Sequence, residues 1–584
     1  MKIHRDTACG ELTAADAGRE VALGGWVESA RDHGGLLFVD LRDRTGVVQV
    51  VFDPGKDQEL FRTAEGWRSE SAVGVRGTVR RRLPGNENPR LRTGEVEVVP
   101  SEIETYSVAR PLPFDVAHAD AVDEALRLRY RYLDLRRSRM LENLRLRHRL
   151  FHAIRQFYTA EGFVEVETPF LTKSTPEGSR EYLVPNRQEP GTFFALAQSP
   201  QIYKQLLMIG GLERYFQIAR CFRDEDMRAD RQPEFTQLDV EMSFVEEEDV
   251  VASTERMLVE TVRDAAGIEL PHPFPRITHA AAMLKYGSDK PDLRLPLEIV
   301  DLSAAFGKTG FEAFARTLAA GGVVRGLRVP GGGALSRREL DGLAEEARRR
   351  GAQGMAWLVA EAPGSFRSPI AKFLSEAELE ALARETGVEA GDLILLLADQ
   401  PAVAAAVLGW ARLWAGERFH LADGAPWHPC WITDWPMFEW DEEEGRWYAT
   451  QHPFTMPREE DLPLLEREPA RVRAMKYDLV LNGYEIGGGS IRIASSEVQN
   501  RVLKAMGVEG VERFGFFIEA LQYGTPPHGG IALGLDRIVM LLAGASSIRD
   551  IIAFPKAARA ADLMTGAPAA VTPAQMRELH LRVT

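Results

Sequence analysis

The segment Cys221–Phe244, CFRDEDMRADRQPEFTQLDVEMSF, concentrates groups that can hold and polarise an anionic substrate. Arg223 stands among Asp224, Glu225 and Asp226, and Arg228, Arg231, Gln232, Glu234 and Phe235 follow. Beyond them the residues alternate. Thr236, Leu238, Val240 and Met242 fall on one side of an extended chain, and Gln237, Asp239 and Glu241 fall on the other. A solvated hairpin would tolerate such charges too. Three polar groups on one strand face nevertheless call for partners, and other segments supply them.

YDLVLNGYEIGGGSIRI sets Asp478 and Glu485 ahead of Gly487, Gly488, Gly489 and Arg492. Two carboxylates beside a backbone that a ligand can approach closely could hold Mg²⁺ on a nucleotide's phosphates. A glycine-rich strand that only packs tightly is the alternative. GLDRIVMLLAG places Gly534 and Arg537 at the start of an apolar helical run, where a helix N-terminus and a guanidinium suit a phosphate. An ion pair capping a buried helix fits that segment equally. There is no Walker A lysine and no GxGxxG, so P-loop and Rossmann readings fail. STPEGSREYLVP and LAQSPQIYKQLLM add Glu177, Ser199, Gln201 and Lys204. A helix starting after Pro200 would place Gln201 and Lys204 on one face.

These groups need elements to carry them, and 584 residues imply several domains. Over 1–105, five short runs (VALGGWVESA, GLLFVDLRD, GVVQVVFD, AVGVRGTVRR and GEVEVVP) predict a small closed barrel. Pro111 and Pro113 mark a linker within 106–140. Helical spacing over Arg139–Ala160 leads into EGFVEVETPFL, a strand ending at Pro169, and mixed strands and helices continue to 285. Within an insertion over 286–425, residues 295–425 change texture: they are rich in Ala, Gly and Leu, with helical runs such as SRRELDGLAEEARRRG and no polar constellation. They read as an inserted α+β domain. Polar texture returns over 426–560, and 561–584 forms a tail.

The net charge of −15 argues against nucleic-acid binding by the molecule as a whole. Its distribution qualifies that. Nine arginines lie between Arg127 and Arg149, against Asp134 and Glu142 alone. They could attract phosphates locally or pair with a neighbouring surface. Cys9, Cys221 and Cys430 are far apart with no metal-ligand spacing, so a reduced cytoplasmic protein without zinc is expected. No apolar run reaches the roughly 20 residues of a membrane span, and no secretory signal opens the chain.

Together these segments resemble the class II aminoacyl-tRNA synthetases, and the whole chain is similar to the bacterial-type aspartyl-tRNA synthetases. GFVEVETPFL with Pro169 resembles the first class II motif, FRDED…RQPEFTQ the second and GLDR the third. TPEG, QSPQIYKQ, FRDEDMRADRQPEFTQ, YGSDKPDLR and NGYEIGGGSIR carry the narrower likeness. It implies a multidomain α/β protein: an OB-fold anticodon-binding barrel, an antiparallel-sheet catalytic domain in two parts (141–285 and 426–560), and the insertion between them. It also implies roles. Arg223 would contact the ATP α-phosphate and the substrate carboxylate. Phe235 would stack on adenine. Asp224, Glu225, Gln232, Glu485, Gly534, Leu535 and Asp536 would complete the nucleotide pocket, and Arg537 would hold the γ-phosphate. Asp478 and Glu485 would take Mg²⁺. Lys204 and Arg492 would pair with the aspartate side chain; Asp239, Gln201, Ser199 and Glu177 would serve its ammonium and surroundings.

The family's HHPFT reads QHPFT here, so Gln451 replaces the first histidine beside the bound aspartate and His452 is the second. An amide can donate to a carboxylate but carries no charge. In the barrel, Phe38 would stack on an anticodon base, or else fill the core, while Arg31 and Gln49 would contact anticodon bases or phosphates. The resemblance further implies a homodimer, with tRNA-Asp as partner. Family members that also charge tRNA-Asn tend to carry histidine and a small residue where stricter ones carry leucine and lysine. His33 and Gly85 occupy those places and point to charging of both tRNAs.

Overall fold

Runs of β-branched residues, the first three joined by tight turns, build the first sheet. In this computed structural model, which describes residues 1–174, 179–362, 364–422, 424, 426–508 and 510–583, the strands Glu20–His33, Leu36–Asp43, Gly46–Phe52, Ala72–Arg81 and Val96–Ser107 close into a barrel. Alternate residues, among them Val21, Leu23, Val39, Leu41, Val48 and Val50, fill its interior. Gly34 and Gly35, both at positive φ, form the two-residue turn between the first strands, as their right-handed twist favours.

The chain packs as two compact units, one of Met1–Arg145 with Arg549–Ala570, the other of Leu146–Ile548 with Val571–Thr584. The first unit thus takes in a stretch that the sequence reading shared between a second catalytic segment and a tail. Its arginines are mostly committed. Arg131 donates to the carbonyls of Arg549, Ile552 and Ala553 and pairs with Asp134. Arg127 and Arg137 also reach Asp134, Arg136 pairs with Glu70, and Arg145 pairs with Glu142.

In the second unit an eight-stranded sheet runs in the order Arg276–Thr278, Pro429–Thr433, Lys476–Leu481, Tyr484–Ile491, His528–Gly534, Glu234–Ser243, Arg214–Phe222, Val164–Glu165. It is antiparallel except at its two outer pairs. Arg147 and Arg149 are likewise engaged, with Asp536 and the Ala265 carbonyl. Packing, rather than phosphate attraction, therefore accounts for most of the arginine run.

A separate five-stranded antiparallel sheet comprises Ile299–Asp301, Val323–Val329, Leu393–Asp399, Ala356–Ala362 and Ser365–Arg367. Its central strand, LILLLAD, is apolar on both faces. Leu393, Leu395 and Leu397 pack with helices Arg337–Arg349 and Pro401–Arg418, while Ile394 and Leu396 join a core containing Phe314 and Leu382 of helices Glu312–Ala319 and Glu376–Thr386. In YGSDKPDLR, a Cβ at Gly287 would lie 2.1 Å from the Ala405 carbonyl, so its glycine admits the Pro401–Arg418 helix. That helix anchors the segment through buried Arg412, which donates to the carbonyls of Asp292, Leu295 and Leu297.

Candidate active site

The Glu234–Ser243 strand pairs with Arg214–Phe222 on one side and His528–Gly534 on the other. Its alternation aims Asp239 and Glu241 from one face, as the sequence suggests. Helix Gln201–Ile209 begins directly after Pro200 and buries both Gln201 and Lys204. Lys204 Nζ meets Asp239 Oδ1 at 3.1 Å and Glu241 Oε2 at 3.3 Å. Arg492 donates through Nε and Nη2 to the two oxygens of Glu241, at 2.8 and 3.1 Å. Its Nη1 serves Ser490 Oγ and His452 Nε2. Among the described residues, Lys204 thus uses two of its three N–H groups and Arg492 four of its five. One donor remains on each.

Burial would push the Glu241 carboxyl up, but Arg492 and Lys204 outweigh it and hold it below the usual range. Asp239 goes the other way: burial raises it despite Lys204, and its buried Oδ2 has no partner among the described residues. A buried carboxylate oxygen in that state suits an incoming cation. Burial, then Arg492 and Lys204, hold His452 well below the usual histidine value, so it stands neutral beside the cluster. The sequence reading missed Glu241 as a site residue. It saw the residue on the strand, but had no way to see two cations converging on it.

Gly487, Gly488 and Gly489 divide between the two roles proposed for them. A Cβ on Gly489 would lie 2.3 Å from the Gly530 carbonyl, which is tight strand packing. One on Gly488 would lie 2.7 Å from Asp478 Oδ1 and 3.6 Å from Gln451 Nε2, which is the site. Asp478 Oδ2 pairs with Lys476, whose ammonium sits 3.4 Å over the Trp435 ring, while Oδ1 is buried without a partner among the described residues. Burial raises the Asp478 carboxyl to about 7, with Lys476 opposing and nearby Glu485 adding. An orphaned carboxylate oxygen beside a second carboxylate fits a divalent cation. Lys476 was not foreseen there. Gln451 Oε1 is also buried without a partner among the described residues.

Arg223 is half-buried, with its guanidinium 5.0 Å from the Phe235 ring centroid and Nε 3.4 Å from the Gln198 carbonyl. Glu225 accepts from Ser179 and Arg231, Asp224 lies 3.9 Å from Arg180, and Gln232 is buried. Arg537 donates to the Glu485 carbonyl and pairs with Asp230, so the capping ion pair exists alongside any anion site. Leu535 is fully buried, and the Asp536 carboxylate turns inward to Arg147 and the Thr236 N–H. Neither side chain is available to a nucleotide; Gly534 and these residues could offer only main chain. Ser199 accepts from the Gln201 N–H and lines a pocket with Lys173, Glu181 and Tyr203. Glu177 lies outside the described residues.

In the barrel, Phe38 is half-buried on the face opposite the core, which removes the core-filling alternative. Arg31 pairs with Asp40, beside Phe38 on the same face, and Gln49 is largely buried opposite Asp40. His33 is exposed at the hairpin end, and Gly85 is exposed at φ +90°.

Residues 123–558 match the model for class II tRNA synthetases (D, K and N), and residues 21–106 match the OB-fold nucleic acid binding domain. The chain belongs to the class II tRNA synthetases of this group. Among its relatives within that family, the aspartate–tRNA(Asp/Asn) ligase of Moorella thermoacetica is 55% identical over 100% of this chain and 97% of that protein. The aspartate–tRNA ligase of Geobacillus kaustophilus is 53% identical over 100% and 99%. Synthetase structures share the fold: asparaginyl-tRNA synthetase from Pyrococcus horikoshii with asparaginyl-adenylate has a TM-score of 0.61 at 19% identity, covering 95% of this chain and 98% of that one. Aspartyl-tRNA synthetase from Entamoeba histolytica gives 0.58 at 19%, covering 94% and 91%.

Proposed function

We propose that this enzyme activates L-aspartate with ATP and transfers the aspartyl group to the 3′ end of tRNA-Asp and tRNA-Asn. The observation that carries the choice of amino acid is the pair of donors left spare among the described residues, one N–H on Lys204 and one on Arg492, within a buried cluster that Asp239 and Glu241 bring to neutrality. A side-chain carboxylate would complete both donors; the ammonium of lysine would repel them, and the amide of asparagine would leave a cation short of charge. Oδ2 of Asp239, without a partner among the described residues, would take the α-ammonium, with Gln201 beside it.

In the first step an oxygen of the substrate α-carboxylate attacks the α-phosphorus and pyrophosphate leaves. No protein nucleophile is needed, so the chain's work is positioning and charge stabilisation. Arg223 would bridge carboxylate and α-phosphate, Phe235 would carry the adenine, and Arg537 would meet the terminal phosphate. Asp478 and Glu485 would hold Mg²⁺, which when bound neutralises phosphate charge. The barrel would read the anticodon through Phe38, Arg31 and Gln49, with 286–425 as an insertion between the two catalytic segments.

A homodimer is part of the same reading. On a small sheet of Leu171–Thr172, Leu183–Pro185 and Phe193–Leu196, exposed Leu171 and Phe194 fall on one face and exposed Leu183 and Phe193 on the other, exposed Phe170 precedes the first of these strands, and the end strand Val164–Glu165 exposes Val164. An apolar surface of this kind is suited to a self-complementary contact. Strict specificity for tRNA-Asp is the second reading, favoured by the name of the Geobacillus relative. ATP–pyrophosphate exchange with aspartate, asparagine and lysine in turn tests the amino acid: exchange that asparagine or lysine supports as well as aspartate does would overturn the assignment.

A further inference from the structure

Behind Gln201 runs a chain of hydrogen bonds whose polarity is fixed from its far end. His528 Nδ1 lies 2.9 Å from the carbonyl oxygen of Pro526. A carbonyl only accepts, so Nδ1 carries the proton and a neutral ring leaves Nε2 bare. Nε2 lies 3.1 Å from Gln205 Nε2. Gln205 must therefore turn its NH₂ to the histidine and its carbonyl to Gln201, whose Nε2 donates to it at 2.9 Å. Amide orientations are ordinarily ambiguous; here each follows from its neighbour back to an acceptor that cannot reverse. Gln201, Gln205 and His528 are all buried, so water is a poor substitute for any link.

We propose that His528 is a positioning residue: its bare Nε2, acting through Gln205, holds the Gln201 amide with its carbonyl oxygen presented to the α-ammonium of the amino acid. The proposal rests on the reading above that Gln201 serves that ammonium. Protonating Nε2 would set two N–H groups face to face. Relief comes from turning Gln205 over, which in turn reverses Gln201 and presents NH₂ to a cation. Burial lowers the histidine's pKa, with Glu241 opposing and Arg492 adding. Lys204 and Asp239 stand beyond Glu241 in the same cluster, and Tyr477 donates to the carbonyl of Gly530 nearby. The relay is therefore intact at neutral pH and fails only as pH falls below the ordinary histidine range.

The test is the KM for aspartate and for ATP in pyrophosphate exchange from about pH 8 down to about pH 5. On the acid side the aspartate KM should climb steadily down to about pH 5, towards a full effect of about ten- to a hundredfold once Nε2 is wholly protonated, the range for one hydrogen bond to a charged group, while the ATP KM stays level. In His528→Gln, whose amide oxygen can take the place of Nε2 but does not titrate, the acid-side rise should vanish. Gln205→Met should raise the aspartate KM at every pH. Succinate, which keeps both carboxylates and lacks the ammonium, serves as a competitive inhibitor whose Ki should ignore all of these changes. If Gln201→Met weakens aspartate and succinate equally, the ammonium reading falls, and the relay with it. If Gln201→Met weakens aspartate alone but the acid-side rise survives in His528→Gln, or Gln205→Met leaves the aspartate KM unmoved, that reading stands and the relay is wrong. Melting temperatures of the variants separate either result from loss of fold.

Discussion

Arg223 and Lys204 both bring positive charge to the proposed site, yet they differ in what else depends on them. Arg223 is half-buried, and its guanidinium donates to the Gln198 carbonyl over the Phe235 ring. Arg223→Ala should leave the melting temperature nearly unchanged and lower the exchange rate by roughly 10²–10³, the usual cost of one preorganised donor at a developing charge. Lys204 is fully buried against Asp239 and Glu241. Lys204→Met should raise the aspartate KM far more than the ATP KM, and should also destabilise the fold by about 3–5 kcal/mol, because it strands buried carboxylates. Thermal melts and exchange kinetics on the two variants check the contrast. Equal loss of stability in both would show that Arg223 is structural.

The strand Tyr484–Ile491 shows how closely an element's packing and its chemistry can sit. Neighbouring glycines have different reasons to lack a side chain. Gly489→Ala pushes a methyl into the Gly530 carbonyl and should lower the melting temperature. Gly488→Ala meets Asp478 Oδ1 instead, so it should raise the KM for Mg·ATP with a smaller effect on stability; the reverse order would move Gly488 out of the site. The sequence placed the barrel strands, the helix after Pro200 and the alternation of Glu234–Ser243 because local periodicity determines them. It left the Gly487–Gly489 run ambiguous, since backbone approach to a ligand and to another strand demand the same residue. Lys476 beside Asp478, the convergence of Lys204 and Arg492 on Glu241, and the reach of Gln205 to His528 were not legible. Those contacts arise only when strands and helices distant in the chain are brought side by side, and no spacing rule encodes them. The arginine run stayed open between two readings for a different reason: charge counting cannot tell a solvated cation from one spent on backbone carbonyls, as Arg131 is.

Over the whole molecule, a net charge of −15 must coexist with tRNA binding, so affinity has to come from local groups and specificity from base contacts. The exposed face with Phe38 and Arg31 offers stacking and a cation, and the exposed imidazole of His33 stands at the end of the same hairpin. The anticodons of tRNA-Asp and tRNA-Asn differ at the third base, C against U. An imidazole can donate to or accept from either pyrimidine, whereas leucine offers neither and lysine would favour one pattern of acceptors. The two marked positions are unequal as probes. Gly85 sits at φ +90° with open space around it, so Gly85→Lys carries a backbone cost of about 1–2 kcal/mol whatever it does to tRNA. His33 lies in ordinary strand backbone and is exposed, so His33→Leu should fold as the parent does. Aspartylation of purified tRNA-Asp and tRNA-Asn transcripts should then give efficiencies within about a hundredfold of each other for the parent enzyme, and His33→Leu should widen the gap by the roughly 1–3 kcal/mol of one base contact. The loss should fall on tRNA-Asn, with aspartate activation in the absence of tRNA untouched. A parent enzyme that charges tRNA-Asn thousands of times less efficiently than tRNA-Asp would establish strict specificity. Equal losses on both tRNAs would reduce His33 to a general RNA contact.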